Sequence, residues 1–407
     1  MSPQRASVIP LARVAVRATG LHRAAPFGRG RPGALEALRR LGYLQIDTIS
    51  VVRRAHEHVL ASRVPGFQPR HLDELIRRRE AFEYWAHAAA FLPMEDFRHA
   101  LPRMQRLRAG GQHWIGRDAR VMDEVLDRIR DEGPLQSRDF DAPDGHRGGW
   151  WSWKPAKRAL ERLFHEGALM VVERDGFAKS WDLTERVLPA HVDTRPPSLQ
   201  AHADHLIERA RLALGVFRPP HVTYLRRESG LRPAVAAGLA AAVEAGRLTR
   251  VRAAERDWYV DRESLQTTAR ISNATRFLSP FDPLVLHRDR LARLFGFDFQ
   301  LECYLPAPRR RYGYFSLPIL QGATFIGRAD CKAERATGRF LIRHLALEPG
   351  TGDRADIDAL GAQLLSGAAQ LAALDDCDQL RVERISGLTK TRAGALKQRL
   401  AGSIEAS

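Results

Sequence analysis

The stretch whose reading decides the rest is residues 41–62, LGYLQIDTISVVRRAHEHVLAS. At its centre, Gln45-Ile46-Asp47 places an amide and a carboxylate two residues apart inside an apolar run, and Arg53, Arg54, His56 and His58 follow. For Gln45 and Asp47 to act together, residues 44–48 must be extended. Positions i and i+2 share one side of a strand but lie on nearly opposite sides of a helix. Ile46 then faces the core, and a helix starts near Thr48. A plainer role is open at the same position: Asp is among the best helix N-caps, so Asp47 could do no more than cap that helix.

Upstream, Val8, Leu11, Val14 and Ala15 recur at helical spacing, which predicts a helix over 6–19 with Gly20 at its C-terminal end. This assigns the Arg-rich, acid-poor N-terminus to a folded helix rather than a transit peptide. Glycines and prolines make 20–32 a loop before a short helix at 33–41. Downstream, a helix over 71–79 is followed by EYWAHAAAFLP (83–93), in which Trp85 and His87 are period-two neighbours read as core and supporting residues. A basic helical region covers 95–110. This first unit, residues 1–117, reads as a helix-turn-helix variant with no obvious wing.

The next segment, 118–195, carries a helix at 119–131, a short one from Ser137, and a helix from Trp153-Lys154-Pro155-Ala156-Lys157 to His165. A hairpin turning at Asp175-Gly176 closes it. The pattern recurs in 196–269, where Leu231-Arg232-Pro233 opens the third helix and strands flank a charged turn. Both segments read as winged helices. Residues 270–407 change character: 297–345 alternates apolar with polar and aromatic residues, predicting four or five antiparallel strands in a small barrel or curved sheet. A helix over 354–374, a strand at DQLRVERI and a helix over 387–400 complete an α+β chain. The domains are therefore expected at 1–117, 118–195, 196–269 and 270–407.

Composition narrows the partners. The net charge of +16 and pI of about 10.5 point to a polyanion. Only six of the basic residues are lysine, which resembles a GC-rich coding bias, so single arginines say little while the excess counts. Residues 1–60 alone carry ten arginines against Glu36, Asp47 and Glu57. Cys303, Cys331 and Cys377 are sparse and unclustered, which excludes zinc spacing and suits a reducing cytoplasm. No apolar run approaches a membrane span, so no membrane partner is expected.

The chemistry on offer is narrow. There is no Walker loop, no Rossmann glycine pattern and no HExxH. His56 and His58 fall on different sides of a helix, and neither Ser50 nor Ser62 has a recognisable triad. What remains is carboxylate-plus-amide chemistry on nucleic acid, or none. A carboxylate and an amide suffice to hydrolyse a glycosidic bond that is already weakened. A purine alkylated at N7 is cationic and leaves without a strong general acid, while a carboxylate activates water and stabilises the oxocarbenium-like sugar.

At QID with TISVVRRAHEHVLASR, the chain resembles the AlkZ/YcaQ-type DNA glycosylases. The likeness continues through EYWAHAAAFLP (83–93), WDLTERVLP (181–189), LSPFDPLVLHRDR (278–290), YLPAPRRRYGYFSLPIL (304–320) and IGRADCK (326–332). The family's catalytic motif, Gln-apolar-Gln/Asp, falls on Gln45, Ile46 and Asp47, and the Asp form resembles the YcaQ branch. The resemblance implies three tandem winged helices plus a C-terminal β-domain in a C shape around duplex DNA. It implies excision of N7-alkylpurines, unhooking of interstrand crosslinks, and no metal or cofactor. The chain departs in carrying Arg at some positions where Lys is expected. DNA contacts are expected from Arg53, Arg54 and His56, from Lys154, Lys157 and Arg232 at the starts of recognition helices, and from Arg309 and Arg310 on a basic turn. The partner is then double-stranded DNA with alkylated or crosslinked purines, bound by a cytoplasmic monomer. A DNA-binding regulator, with Asp47 only a cap, is the competing class.

Overall fold

The helix Val8–Ala18 buries Leu11, Val14 and Ala15 on one face, as their spacing predicts. It ends where Gly20, at φ 73°, donates to the Arg17 carbonyl and Leu21 donates to that of Val16. That pair of bonds satisfies the last carbonyls and needs a left-handed residue, which glycine adopts without strain. The second helix starts earlier than expected, spanning Gly30–Leu41. The structure is a computed structural model and describes residues 4–5, 7–140, 155–267, 269–351 and 356–403.

By packing, the chain divides into two units, residues 1–68 with 206–407 and residues 69–205. In the first unit, the helix Leu231–Glu244 precedes a hairpin of Leu248–Ala253 and Arg256–Asp261. Trp258 is fully buried in this hairpin and donates its indole N–H to the Ala253 carbonyl at 2.9 Å. The expected second helix at 221–228 is one turn, Pro219–Val222.

The C-terminal sheet of this unit has six strands, in the order Thr275–Phe277, Ser316–Gln321, Thr324–Glu334, Arg339–Leu347, Gln379–Ser386, Gly402–Ser403. It corrects the expected antiparallel barrel in two ways. The sheet is open, and Arg339–Leu347 pairs in parallel with Gln379–Ser386. The parallel pair needs a crossover, and the helix Ile357–Ala372 supplies it. Residues 298–315 are not strand either. They form loops with one short turn at Ala307–Arg309.

The crossover helix also corrects the statement that no apolar run is span-sized. Ile357–Asp375 is long and apolar enough to cross a membrane. Its Leu360, Leu364, Ala368 and Leu371 pack instead into one core with Phe315, Leu317, Ile319, Phe340 and Ile342 of the sheet region. Burial against a sheet removes that apolar stripe from water, at roughly 25 cal/mol per Å².

The second unit contains a hairpin that the sequence pattern does not predict. Ala81–Trp85 pairs antiparallel with Ala89–Pro93, placing Phe82 opposite Leu92 and Tyr84 opposite Ala90. Helices Ala119–Glu132 and Pro155–His165 follow, then the hairpin of Leu169–Asp175 and Ala178–Leu183 that the sequence predicts. One core joins them through Phe82, Tyr84, Phe97, Leu160, Phe164 and Trp181. Glu83 is buried between Arg174, which grips it with two hydrogen bonds of 2.8 and 2.9 Å, and Lys179 at 3.2 Å.

Candidate active site

Leu44–Gln45 is a short strand, and residues 46–54 then run without regular structure until the helix Ala55–Ala61. The expected helix at Thr48 does not form. The physical reason lies outside the stretch. The carbonyls of Ser50, Val51 and Val52 are tied to the C-terminal sheet region, which holds this backbone out of a helical ladder. Ala333 donates its amide to the Val51 carbonyl at 2.8 Å. Arg335 donates to the Val52 carbonyl at 2.8 Å and to that of Ser50 at 3.3 Å, while also holding Asp375 at 2.8 Å. Val52 is buried in the sheet core, with Ile49 and Val51 packed beside it. Ile46 is only half-buried, so the apolar anchor of the motif is Leu44 at 1% exposure rather than Ile46.

Asp47 therefore caps no helix. Its Oδ1 accepts the amide of Thr48 at 2.6 Å and that of Ile49 at 3.3 Å. This is the local turn that Asp side chains make with the backbone just ahead of them. Oδ2 is buried with no hydrogen-bond partner among the described residues. Burial raises the carboxyl above its ordinary value, and the Ile49 and Thr48 amides pull the other way without cancelling it. One oxygen is thus fixed by the backbone, and the other is a buried acceptor whose capacity no described residue uses. A buried acceptor without a partner costs about 1–3 kcal/mol, a cost that a ligand in contact with it would remove. Gln45 stands at the end of the strand, half-buried.

Two residues not singled out from the sequence come near Asp47. Its charge contributes, after burial, to raising both Cys303 and Tyr304. Tyr304 is 80% exposed. Both belong to the loop region 298–315, and no local pattern signals that this loop returns to the Gln45–Asp47 motif.

The expected DNA contacts divide. Arg53 turns inward: Nε donates to the Leu374 carbonyl at 2.5 Å and lies 3.0 Å from Asp375 Oδ1. His56 is buried at 5% exposure, 3.9 Å from Glu57. Both placements correct the expectation of a phosphate-facing pair. A buried side chain and a guanidinium already satisfied by protein acceptors have little to offer a backbone phosphate. Arg54 is half-buried at the start of its helix. His58 is buried, with Nε2 donating to the Phe277 carbonyl at 2.7 Å, and burial drives it down to about 4, so it is neutral.

Elsewhere, Arg232 is exposed in the first turn of Leu231–Glu244, and Lys157 is exposed in the first turn of Pro155–His165. Lys154 lies outside the described residues. Arg309 is exposed at its turn, whereas Arg310 donates to the Leu305 carbonyl at 2.8 Å and lies 5.0 Å over the Tyr314 ring. Trp85 is half-buried in a ring cluster with Trp114 at 5.3 Å and His165 at 5.7 Å.

The fold matches a solved structure. Streptomyces sahachiroi DNA glycosylase AlkZ superposes with a TM-score of 0.61 at 18% identity, over 94% of this chain and 100% of that one. A family model, DNA glycosylase AlkZ-like, matches residues 38–366, a span that runs from the helix before Gln45 through Asp47 and the loop bearing Tyr304 into the crossover helix. The chain belongs to the DNA glycosylase AlkZ-like family.

Proposed function

We propose that this protein excises N7-alkylated purines from duplex DNA and unhooks interstrand crosslinks made through the same atom. Asp47 and Gln45 perform the chemistry. The observation that carries this reading is the carboxylate of Asp47, held at one oxygen by two backbone amides and unpartnered at the other. It stands in a chain that belongs to a family of DNA glycosylases acting on DNA.

The step balances simply. A water oxygen forms a bond to the anomeric carbon while the bond from that carbon to the base nitrogen breaks. The electron pair of the broken bond neutralises the cationic purine, which leaves. The water proton passes to Asp47 Oδ2, and the Gln45 amide aligns the water. Because the leaving group carries its own positive charge, no general acid is needed on its far side. The raised carboxyl suits a base that must accept a proton near neutral pH and return it. The sugar is left hydroxylated, so the enzyme is monofunctional and leaves an abasic site.

The helix-plus-hairpin segments are read as winged helices that present Lys157 and Arg232 to the duplex backbone, and Arg309 on the sheet domain is proposed as a further phosphate contact. The protein is proposed to act as a cytoplasmic monomer associated with the nucleoid. The family match favours a glycosylase over the regulator reading, and the cap that reading assigned to Asp47 is replaced by a local turn, since the helix begins at Ala55. Incubation with duplexes bearing N7-methylguanine or a nitrogen-mustard crosslink, followed by detection of abasic sites, tests the reading. Release of the base and unhooking of the crosslink are expected, and no release from either duplex would refute it.

A further inference from the structure

On the C-terminal sheet domain, a concave pocket of about 450 Å³ is lined by Arg310, Arg311, Arg343 and Arg384, with Tyr312 and His344 among them. Arginines elsewhere in the chain pair with a carboxylate, as Arg162 does with Glu166 and Arg328 with Glu348. These four have none within ion-pair distance among the described residues. The pocket holds two acids, Asp330 and Glu383. Asp330 Oδ1 accepts the Phe315 amide at 2.9 Å, and the four guanidinium groups outnumber the two carboxylates.

The pocket is held in place before any ligand arrives. His344 joins neighbouring strands: its Nδ1 accepts from Arg384 at 2.7 Å and its Nε2 donates to Ser386 Oγ at 2.7 Å. Arg311 lies 4.9 Å over the Tyr312 ring, with Arg328 at 4.2 Å and the His344 ring stacked at 6.4 Å. Glu302 accepts the amides of Tyr312 and Gly313 at 2.8 and 3.2 Å. Gly313 sits at φ 129°, and a Cβ there would fall 2.2 Å from Asp330 Oδ2, so only glycine lets the loop close this tightly. Guanidinium groups fixed by stacking and by protein acceptors lose little freedom on binding, and their paired N–H groups match the oxygens of a phosphate.

We propose that this pocket seats one backbone phosphate of the DNA strand whose damaged nucleoside lies at Asp47. The inference rests on the reading of DNA as the partner. The loop that carries Arg310 and Arg311 is the one that brings Cys303 and Tyr304 to Asp47, so a phosphate held there fixes the strand relative to the carboxylate. The excess positive charge fits a phosphodiester.

The test uses the full-length protein and the double variant Arg311→Ala/Arg343→Ala. Both side chains are exposed, so the fold should survive their loss. Binding of an undamaged 20-base-pair duplex is measured by fluorescence anisotropy across salt concentrations. The slope of log affinity against log salt should fall by about 1, and by the same amount for damaged DNA. The double variant Arg120→Ala/Arg128→Ala removes equal charge from arginines already paired with Glu124 and Glu132, and it should leave the slope in place. An unchanged slope in Arg311→Ala/Arg343→Ala would overturn the proposal. So would loss of inorganic phosphate binding, read by calorimetry, with the DNA slope intact, because that result assigns the pocket to a free anion. If the parent releases no base yet the slope still falls, the phosphate seat stands and the glycosylase reading fails.

Discussion

Arg63 and Asp282 form a fully buried ion pair, with Nη2 donating to Oδ1 at 2.9 Å and Nη1 lying 2.8 Å from Oδ2. The pair joins the chain just after the motif helix to the turn that opens LSPFDPLVLHRDR. Asp282 also accepts the Leu284 amide at 2.9 Å, and Arg63 donates to the Thr19 carbonyl at 2.5 Å. Removing the carboxylate leaves a buried guanidinium without its counter-charge. Asp282→Ala should therefore destabilise by about 3–5 kcal/mol, read by denaturant unfolding. A loss of less than about 1 kcal/mol, the range of an exposed pair, would show that water reaches the site.

Arg53 and Arg232 should behave in opposite ways. Arg53 spends its donors on Leu374 and Asp375, so Arg53→Ala should lower stability by about 1–3 kcal/mol. Its salt slope for duplex binding should not move. Arg232 is exposed at a helix start, so Arg232→Ala should leave the melting temperature unchanged and reduce the salt slope by about 1. Anisotropy titrations paired with thermal melts separate the two roles.

Stability should fall as the solution is acidified. Burial depresses His58 to about 4 in the fold, while the unfolded chain binds a proton near the ordinary value of 6.5. Between those values the unfolded state holds more protons, so the contribution is full above 6.5 and is lost as pH drops towards about 4. Glu83 acts in the same direction. Burial alone would raise it, but Lys179 and Arg174 outweigh burial and hold it below its ordinary value. Its contribution is present above the unfolded carboxylate value and disappears as pH falls through the lower folded one. Melting temperatures measured from pH 7 to pH 4 should decline, and His58→Gln should flatten the upper part of that decline.

Amphipathic helices are legible where they bury a stripe at helical spacing, as Leu11, Val14 and Ala15 do. The hairpin at Asp175-Gly176 was legible because turn residues mark it. Elements made by distant partners were not. Ala89–Pro93 is alanine-rich and becomes a strand through pairing with Ala81–Trp85. Residues 48–54 are mostly β-branched, which weakens a helix there, and the Val52 carbonyl is claimed by Arg335, 283 residues away. The alternation over 298–315 reads as strand because aromatic rings recur there, but Tyr312 and Tyr314 recur to stack on arginines. Of the candidate site, Gln45 and Asp47 stood out as an acid and an amide in an apolar run. The approach of Cys303 and Tyr304 depends on the tertiary path of a loop and leaves no mark in the spacing.

The raised carboxyl of Asp47 has a kinetic signature. As a base it must be ionised, so the acid limb of the single-turnover rate should inflect above the ordinary Asp value of 3.8. An inflection at or below that value would mean that another group sets the limb.

The most direct measurement compares the parent with Asp47→Asn in single-turnover release of N7-methylguanine from a duplex, with DNA affinity measured alongside. The amide keeps the shape of Asp47 but cannot accept the proton. The rate should fall by about 10²- to 10⁴-fold while duplex affinity and melting temperature hold. Asp47→Asn releasing the base as fast as the parent would contradict the assignment of Asp47 as the catalytic carboxylate.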